Sequence, residues 1–480
     1  MFQIKLLLCN IVLWLSLLPE ATRYIIAFLF PERAQKKVLM KILDKMNMGI
    51  SEFNNHPVTR YDDYIGQVEV LKETGVHPTY HEEVTRLCPT SGTSGGNKLI
   101  PYTKSLKGAF QSGLYPWIFF LYLRFPLLFL KRQYWSITPV IQTQDGDATS
   151  KVKIGFEDDE EYIGALQRQI TKIVWVDTKR ITQNCPDVGV FLSRLGKQLS
   201  EEKNLGLVSV WSPSLISLLV RKHGWILPKN LVLSSWAHGY SKGESENVVQ
   251  ILKAELQPKG LLSTEACVTI PIGTDNFFLS YNSHYFEFKG TNTDKLETAK
   301  TVEVGHEYEV VITTQSGFVR YATGDIVRVV KFTLNRPSCV FVGRIGVADL
   351  FGEKLDEHTV EKVVYVLLGE QRTKESFWFL APTRNHDESI SYALFVGSKV
   401  VDTSLPESLD TLLRTSYHYN YCRELGQLAQ ARIFVIEDPS PETCFIEISS
   451  REGGVRLGDI KIGRISKRFD WDQLFSGHFI

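Results

Sequence analysis

The sequence predicts an α/β protein: a large N-terminal domain of α/β sheets with a small β subdomain, then a small α+β C-terminal domain. Three observations carry this. The chain has 480 residues, more than one hydrophobic core usually serves. Short apolar strands alternate with helical segments through its middle. Beyond Tyr285 the pattern turns mostly β, and it changes again after Arg344, which sets domains of 1–344 and 345–480.

Residues 1 to about 60 read as helices, from the recurrence of Leu, Ile and Val at helical spacing. Lys172–Val176, Leu207–Trp211 and Leu231–Leu233 read as buried strands. Ser212-Pro213 gives an N-cap followed by proline at the first helical position, opening a helix over 214–221. A further helix is expected over 246–256. Strands are expected at 307–314, 326–332 and 339–342. In the last part Asp356 should cap a helix reaching Leu368, with strands near 376–380, 391–396 and 433–436. In open α/β sheets, ligands collect at the loops beyond strand ends.

Composition bounds the function. Hydrophobic residues are 43% and charged ones 22%, the balance of a soluble globular protein. Lys+Arg and Asp+Glu are both 54, so no global basic field recruits nucleic acid, and no nucleic-acid partner is expected. Seven scattered cysteines form no C-x-x-C pair, which argues for reduced thiols and a cytoplasmic setting. The 11 histidines show no H-E-x-x-H or H-x-H spacing. Lys5 precedes an apolar run, 6–18, resembling a signal h-region but lacking a clear cleavage site; a helix packed on the body is expected instead. A second apolar block, 114–130, is interrupted by Pro116, Arg124 and Pro126 and reads as a buried helix lining a pocket. The two blocks together also suit peripheral contact with a membrane face.

The most informative stretch is Ser91-Gly92-Thr93-Ser94-Gly95-Gly96-Asn97-Lys98. Glycines let backbone N–H groups approach an anion, hydroxyls add donors, and the lysine supplies a mobile charge. That is a polyphosphate cradle with neither Walker A nor dinucleotide spacing. Downstream, Gly260-Leu-Leu-Ser263-Thr264-Glu265 ends an apolar segment in two hydroxyls and a carboxylate. A carboxylate facing a polyphosphate needs a divalent cation between them, usually Mg²⁺. In Arg320-Tyr321-Ala-Thr-Gly-Asp325, the aspartate after a tight turn suits vicinal ribose hydroxyls, and Tyr321 offers a ring for a base. Arg344, after Phe-Val-Gly, has the reach for ribose or phosphate. Standing alone, each motif also has a plainer reading: a flexible loop, a helix cap, an Asx turn and a solvated arginine in turn.

Their order carries a resemblance. S-G-T-S-G-G with K-L-I-P-Y-T (98–103), G-L-L-S-T-E-A (260–266), Y-F-E-F (285–288), V-G-H-E-Y-E-V-V-I-T-T (304–314), R-Y-A-T-G-D-I-V (320–327) and D-L-F-G-E-K-L (349–355) span most of the chain. Together they resemble the Gretchen Hagen family of acyl-acid amido synthetases and their bacterial relatives, within the adenylate-forming superfamily of acyl-CoA synthetases, adenylation domains and luciferases. The resemblance implies the adenylate-forming enzyme fold, ATP and Mg²⁺ as cofactors, and an AMP-forming ligase. A carboxylic acid would be activated as acyl-adenylate and passed to an amine, with an amino acid as the expected acceptor. Transfer to a coenzyme A or carrier thiol, or a catalytically silent binding role, are the alternatives. It implies that Ser91, Gly92, Thr93, Ser94, Gly95, Gly96 and Lys98 hold the phosphates, with Ser263 beside them. Thr264 would touch the adenylate phosphate, Glu265 would hold the metal, Tyr321 would stack near adenine, Asp325 would bind ribose, and Arg344 would support the nucleotide. A catalytic lysine from a mobile C-terminal domain is also implied: Lys461, in R-L-G-D-I-K, or else Lys467. Asn97 and the S-T-E spelling depart from common plant patterns. Trp211, Ser214, Trp236, His238 and Tyr240 match no recognisable acid pocket, so the acid stays open; a monomer or homodimer is expected.

Overall fold

The computed structural model describes residues 2–80, 82–90, 98–136, 151–155, 165–177, 181, 188–222, 224–238, 241–290, 295–344, 350, 353, 355, 357–385, 387–397, 405–424, 426–453 and 462–480. These fall into two compact units, Met1–Thr90 with Lys98–Val342, and Gly343–Ile480.

The first unit opens on the helix Phe2–Leu29, whose inner face (Leu6, Leu13, Leu17, Ala21, Tyr24) is buried. Asn10 lies on that face, fully buried, and donates to the carbonyls of Phe129 (3.1 Å) and Lys131 (3.3 Å), which fixes the helix to the body by polar as well as apolar contact. The expected strand at 172–176 is instead the end of a helix, Ala165–Val174. Its apolar residues Ile170, Ile173 and Val174 pack on Leu6 and Leu13, so helical spacing wins over the β-branched composition. Only Trp175 keeps a strand contact, a single bridge to Gln133.

Four parallel strands, Arg132–Trp135, Leu205–Ser209, Val232–Ser235 and Glu255–Pro258, lie side by side in that order. Their buried apolar residues and intervening helices are the expected α/β pattern. Helix Lys104–Arg124 runs through Pro116 and continues into a short 3-10 turn, Pro126–Leu130. Thr103 caps it, accepting the Leu106 N–H at 3.0 Å. A seven-stranded sheet dominated by antiparallel pairs follows, including Tyr285–Gly290, Glu307–Thr313, Tyr321–Thr333 and Arg336–Arg344. This is the expected β subdomain. A three-stranded sheet pairs Val84–Pro89 antiparallel with Leu99–Thr103.

The second unit has one four-stranded sheet, ordered Trp378–Arg384, Ile390–Val396, Arg432–Ile436, Gly477–Phe479. Successive side chains alternate between two cores. Trp378, Leu380, Tyr392 and Leu394 face one, with helix Glu357–Leu368. Phe379, Ala381, Ala393 and Phe395 face the other, with helix Pro441–Gly453. A sheet covered on both faces explains why its strands read as nearly continuous apolar runs. Asp356, the expected cap, lies outside the described residues.

Candidate active site

The glycine loop joins the two strands of a hairpin. Pro89 pairs with Leu99 and Cys88 with Ile100. The Thr90 N–H donates to the Lys98 carbonyl at 2.9 Å and closes the neck. Ser91, Gly92, Thr93, Ser94, Gly95 and Gly96 lie outside the described residues. Lys98 is described: its Nζ sits 5.8 Å from the centre of the Tyr61 ring. The Tyr61 hydroxyl accepts the Leu99 N–H at 2.7 Å and faces the Leu99 carbonyl at 3.3 Å. Burial pushes the Tyr61 phenol above its ordinary value, the Leu99 backbone contact pulls it down, and the charges of Glu69 and Glu265 push it up. Glu265 is therefore an electrostatic neighbour of the loop's neck.

Glu265 sits in a second tight turn. Leu262 and Cys267 form a bridge, and the Ser263 N–H donates to the Ala266 carbonyl at 3.0 Å. The Ser263 hydroxyl accepts the Ala266 N–H at 3.3 Å, so Ser263 shapes the turn while half-buried Thr264 is carried at its tip. Gly260 is required upstream, because a Cβ there would lie 2.0 Å from the Thr269 carbonyl oxygen. Glu265 is 1% exposed, and neither carboxylate oxygen has a hydrogen-bond partner among the described residues. A carboxylate stripped of water without a partner costs several kcal/mol, roughly, unless a cation joins it. No group of three or more His, Cys, Asp or Glu is positioned to cage a metal among the described residues. One carboxylate plus phosphate oxygens is the usual donor set for Mg²⁺, so the residues present fit that ion.

Asp325 follows Gly324, whose φ of 83° is a conformation glycine adopts without strain. The Gly324 N–H donates to Glu309 at 3.1 Å, Thr323 donates its hydroxyl to the Val310 carbonyl at 3.0 Å, and the Asp325 N–H donates back to Thr323 at 3.0 Å. The strand slips register here, between Glu309 and Val311, so the turn is a bulge that re-aims Asp325. Asp325 is 4% exposed. Arg60 holds Glu309 through both guanidinium nitrogens, one at 2.9 Å.

One expectation changes. Tyr321, expected to offer its ring to a base, is fully buried, with Phe318 stacked 4.8 Å away and Tyr64 against its edge at 6.3 Å. It is a packing residue here. Arg320 was passed over within the same motif, yet its guanidinium grips Glu287 at 3.1 Å twice and donates to the carbonyls of Asn54 (3.0 Å) and His56 (2.8 Å). Arg344 ends its strand, and its side chain lies outside the description. Lys461 lies outside the described residues; Lys467 is half-buried in the second unit. Ser214 has no described side chain, and Tyr240 lies outside the described residues.

The segment Thr59–Tyr64, whose last four residues Tyr-Asp-Asp-Tyr are acidic and aromatic, links the motifs. Tyr61 clamps the glycine-loop hairpin. Three residues on, the Tyr64 hydroxyl accepts the Val319 N–H at 2.9 Å, and Thr59 bridges Tyr321. One 3-10 turn thus ties the phosphate loop's neck to the strand that carries Asp325. Its signal was two tyrosines at i and i+3, which in such a turn stack on one side. A small cleft lies beside the Glu265 turn, lined by Leu114, Trp117, Trp211, Lys259, Leu262 and Ile270. Helix 104–124 packs on it so closely that a Cβ on Gly113 would meet the Cys267 sulfur at 2.3 Å.

Comparison with known proteins adds to this geometry. Residues 277–344 match the model of the GH3 family central domain. The indole-3-acetic acid-amido synthetase GH3.3 of Arabidopsis thaliana is 40% identical over 102 residues, covering 19% of this chain and 17% of that protein. The probable indole-3-acetic acid-amido synthetase GH3.1 of Oryza sativa subsp. japonica is 34% identical over 110 residues, 23% of this chain and 18% of that one. The alignments thus span under a fifth of these relatives' length. Among solved structures, GH3.15 acyl acid amido synthetase superposes with a TM-score of 0.71 at 17% identity, covering 93% of both chains. The same enzyme from a complex with 2,4-DB gives 0.69 at 18% identity, over 92% of this chain and 93% of that one.

Proposed function

We propose, from the premise that this chain carries a GH3 family central domain within the fold of an acyl acid amido synthetase, that it is an ATP-dependent acid–amine ligase. The observation that carries the reading is Glu265, a buried carboxylate with no partner beside the neck of a glycine- and hydroxyl-rich loop. In the first step a substrate carboxylate oxygen attacks the α-phosphorus of ATP, and pyrophosphate leaves. In the second an amine nitrogen attacks the acyl carbon, loses a proton, and AMP departs. Bound Mg²⁺ would neutralise phosphate charge, with Glu265 as its protein ligand. Lys98 and the donors of 91–96 would hold the phosphates, Ser263 would set the turn, and Thr264 would meet the adenylate phosphate. Asp325, aimed by its bulge, would accept from the ribose hydroxyls, and Arg344 would support the nucleotide. Lys461, or Lys467, would assist from the second unit. In-line transfer of this kind depends on position and charge neutralisation rather than on a covalent nucleophile.

The test is ATP–pyrophosphate exchange over a panel of carboxylic acids, followed by mass analysis of products formed with mixed amino acids and coenzyme A. Acid-dependent exchange and an amide product are expected. A thioester product would overturn the choice of acceptor, and no exchange with any acid would overturn the reading.

Two features support a setting for the reaction. The six described cysteines are free thiols, which suits a reducing compartment, the cytoplasm. The helix Phe2–Leu29 is the one described helix long and apolar enough to cross a membrane. Its inner face is anchored by Asn10, while its outer face exposes Ile4, Leu8, Val12, Leu15 and Ile26 beside exposed Leu127. Of the charged residues on this helix, Lys5 and Arg23 are exposed, and Arg23 pairs with half-buried Glu20, which leaves Lys5 as the basic group at its N-terminal end. This is the pattern of a helix lying in the plane of an anionic bilayer surface. The protein is expected to co-sediment with phosphatidylserine-containing vesicles, and a Leu8→Glu/Leu15→Glu variant to stay in solution. Wild-type protein left in the supernatant, or a concentration-dependent dimer that buries this face instead, would refute it.

A further inference from the structure

The hairpin made by strands Tyr321–Thr333 and Arg336–Arg344 turns on two residues, Leu334 and Asn335, with φ of 50° and 60°. Positive φ at both positions matches the twist of a hairpin, and it favours Asn and Gly. Asn335 conforms. Leu334 does not: it holds a left-handed backbone that a residue with a long side chain rarely adopts, and its side chain is 71% exposed. Val330 and Phe332 alternate with it along the strand and are exposed as well, so the three share one outer face. Strain kept where the side chain stands mostly in water contributes nothing to the core, and it points to a use outside it.

Arg336 fixes where this tip sits. Its guanidinium donates to the carbonyls of Leu334 (2.9 Å) and Asn335 (3.2 Å), and also to those of Phe28 (2.6 Å) and Leu29 (2.7 Å). The last carbonyls of a helix lack partners within it, so Arg336 caps the helix Phe2–Leu29. One side chain thus holds Leu334 beside the end of that helix, where Ile26, Leu29 and Phe30 are exposed. At helical spacing these three continue the outer stripe of Ile4, Leu8, Val12 and Leu15, along a helix of 28 residues, about 42 Å. The chain then turns directly into helix Pro31–Lys45, whose exposed side carries Arg33, Lys36, Lys37 and Lys41. Of its two acids, Glu32 pairs with Lys300 at 3.2 Å, and Asp44 lies at the far end. An apolar ridge with a second apolar point at one end and cations just beyond suits an anionic bilayer, whose headgroups meet the charges while the acyl boundary takes the side chains.

We propose that the hairpin tip is a second membrane anchor: Leu334 and Phe332 enter an anionic bilayer beside the Phe30 end of the N-terminal helix, and helix Pro31–Lys45 meets the headgroups. The two anchors, tied by Arg336, fix which side of the first unit faces lipid. This rests on the membrane contact proposed above for the N-terminal helix and is independent of the ligase reading.

Co-sedimentation of the full-length protein with vesicles of phosphatidylserine and phosphatidylcholine tests it, beside thermal unfolding without lipid. Leu334→Gly removes the apolar tip and the backbone strain together. It is expected to weaken vesicle binding roughly 10-fold, the share of one leucine side chain taken out of water, while the thermal midpoint holds or rises. Lys36→Glu/Lys37→Glu is expected to abolish the preference for these vesicles over phosphatidylcholine alone. Hydrogen–deuterium exchange at 330–337 should slow when wild-type protein is on vesicles, and this measurement decides the matter if Leu334→Gly does not fold. Unchanged exchange there, or Leu334→Gly binding like the wild type while Leu8→Glu/Leu15→Glu does not bind, would overturn the second anchor alone. Wild-type protein left in the supernatant would overturn the membrane reading and this proposal with it, so the two failures are told apart. A concentration-dependent dimer that Leu334→Gly abolishes would assign the tip to a second copy of the chain and overturn the proposal too.

Discussion

Glu265→Gln is expected to lower ATP–pyrophosphate exchange on the order of 10²–10³-fold, the usual effect of removing one well-placed charge contact at a reacting phosphate. The same change should raise the thermal midpoint of the protein measured without nucleotide. Both signs come from one fact: the carboxylate is 1% exposed and neither oxygen has a hydrogen-bond partner among the described residues. An unpaired buried charge is a liability to the fold, and the neutral amide removes most of it. A site kept at the expense of stability is what a metal–phosphate contact needs, because the cation completes the pair only when substrate is bound. Mg·ATP should therefore stabilise the wild type by mass action and stabilise the variant much less. Wild-type exchange in the variant would remove Glu265 from the chemistry. A lowered midpoint would show that the carboxylate has a structural role.

The motifs were legible because each is a backbone device. Gly260 and Gly324 hold positions where a side chain would collide or a positive φ is needed, and such positions leave a spelling in the sequence. What links them was not legible. Tyr61 acts by clamping Leu99, and Tyr64 by clamping Val319, partners 38 and 255 residues away. Nothing local to Thr59–Tyr64 announces either contact. Tyr321 erred in the opposite direction. An aromatic inside a ligand-binding motif invites a stacking role, yet alternation along its strand turns it inward onto Phe318. The segment at 172–176 failed because four successive apolar residues, Ile173 to Val176, fit either period, and the neighbouring N-terminal helix decided between them.

Arg320→Ala is expected to destabilise the protein by about 3–5 kcal/mol, the cost of stranding the partner of a buried ion pair. Arg320 grips Glu287 with two contacts of 3.1 Å, and both side chains are largely buried, at 13% and 8% exposure. Burial already pushes the Glu287 carboxyl above its ordinary value, and Arg320 is the opposing pull. Without that pull the folded-state value rises further. A carboxyl that binds its proton more tightly folded than unfolded makes stability fall as pH rises through that window, and recover as pH falls. The urea midpoint of Arg320→Ala should therefore lag the wild type most at pH 7.5 and draw closer toward pH 5.5. Adding Glu287→Gln should restore part of the loss at pH 7.5, because the stranded charge is gone. The remainder belongs to the carbonyls of Asn54 and His56, which Arg320 also holds and which no proton can replace. A pH-independent deficit, or no rescue by Glu287→Gln, would show that those backbone contacts, and not the ion pair, account for this residue.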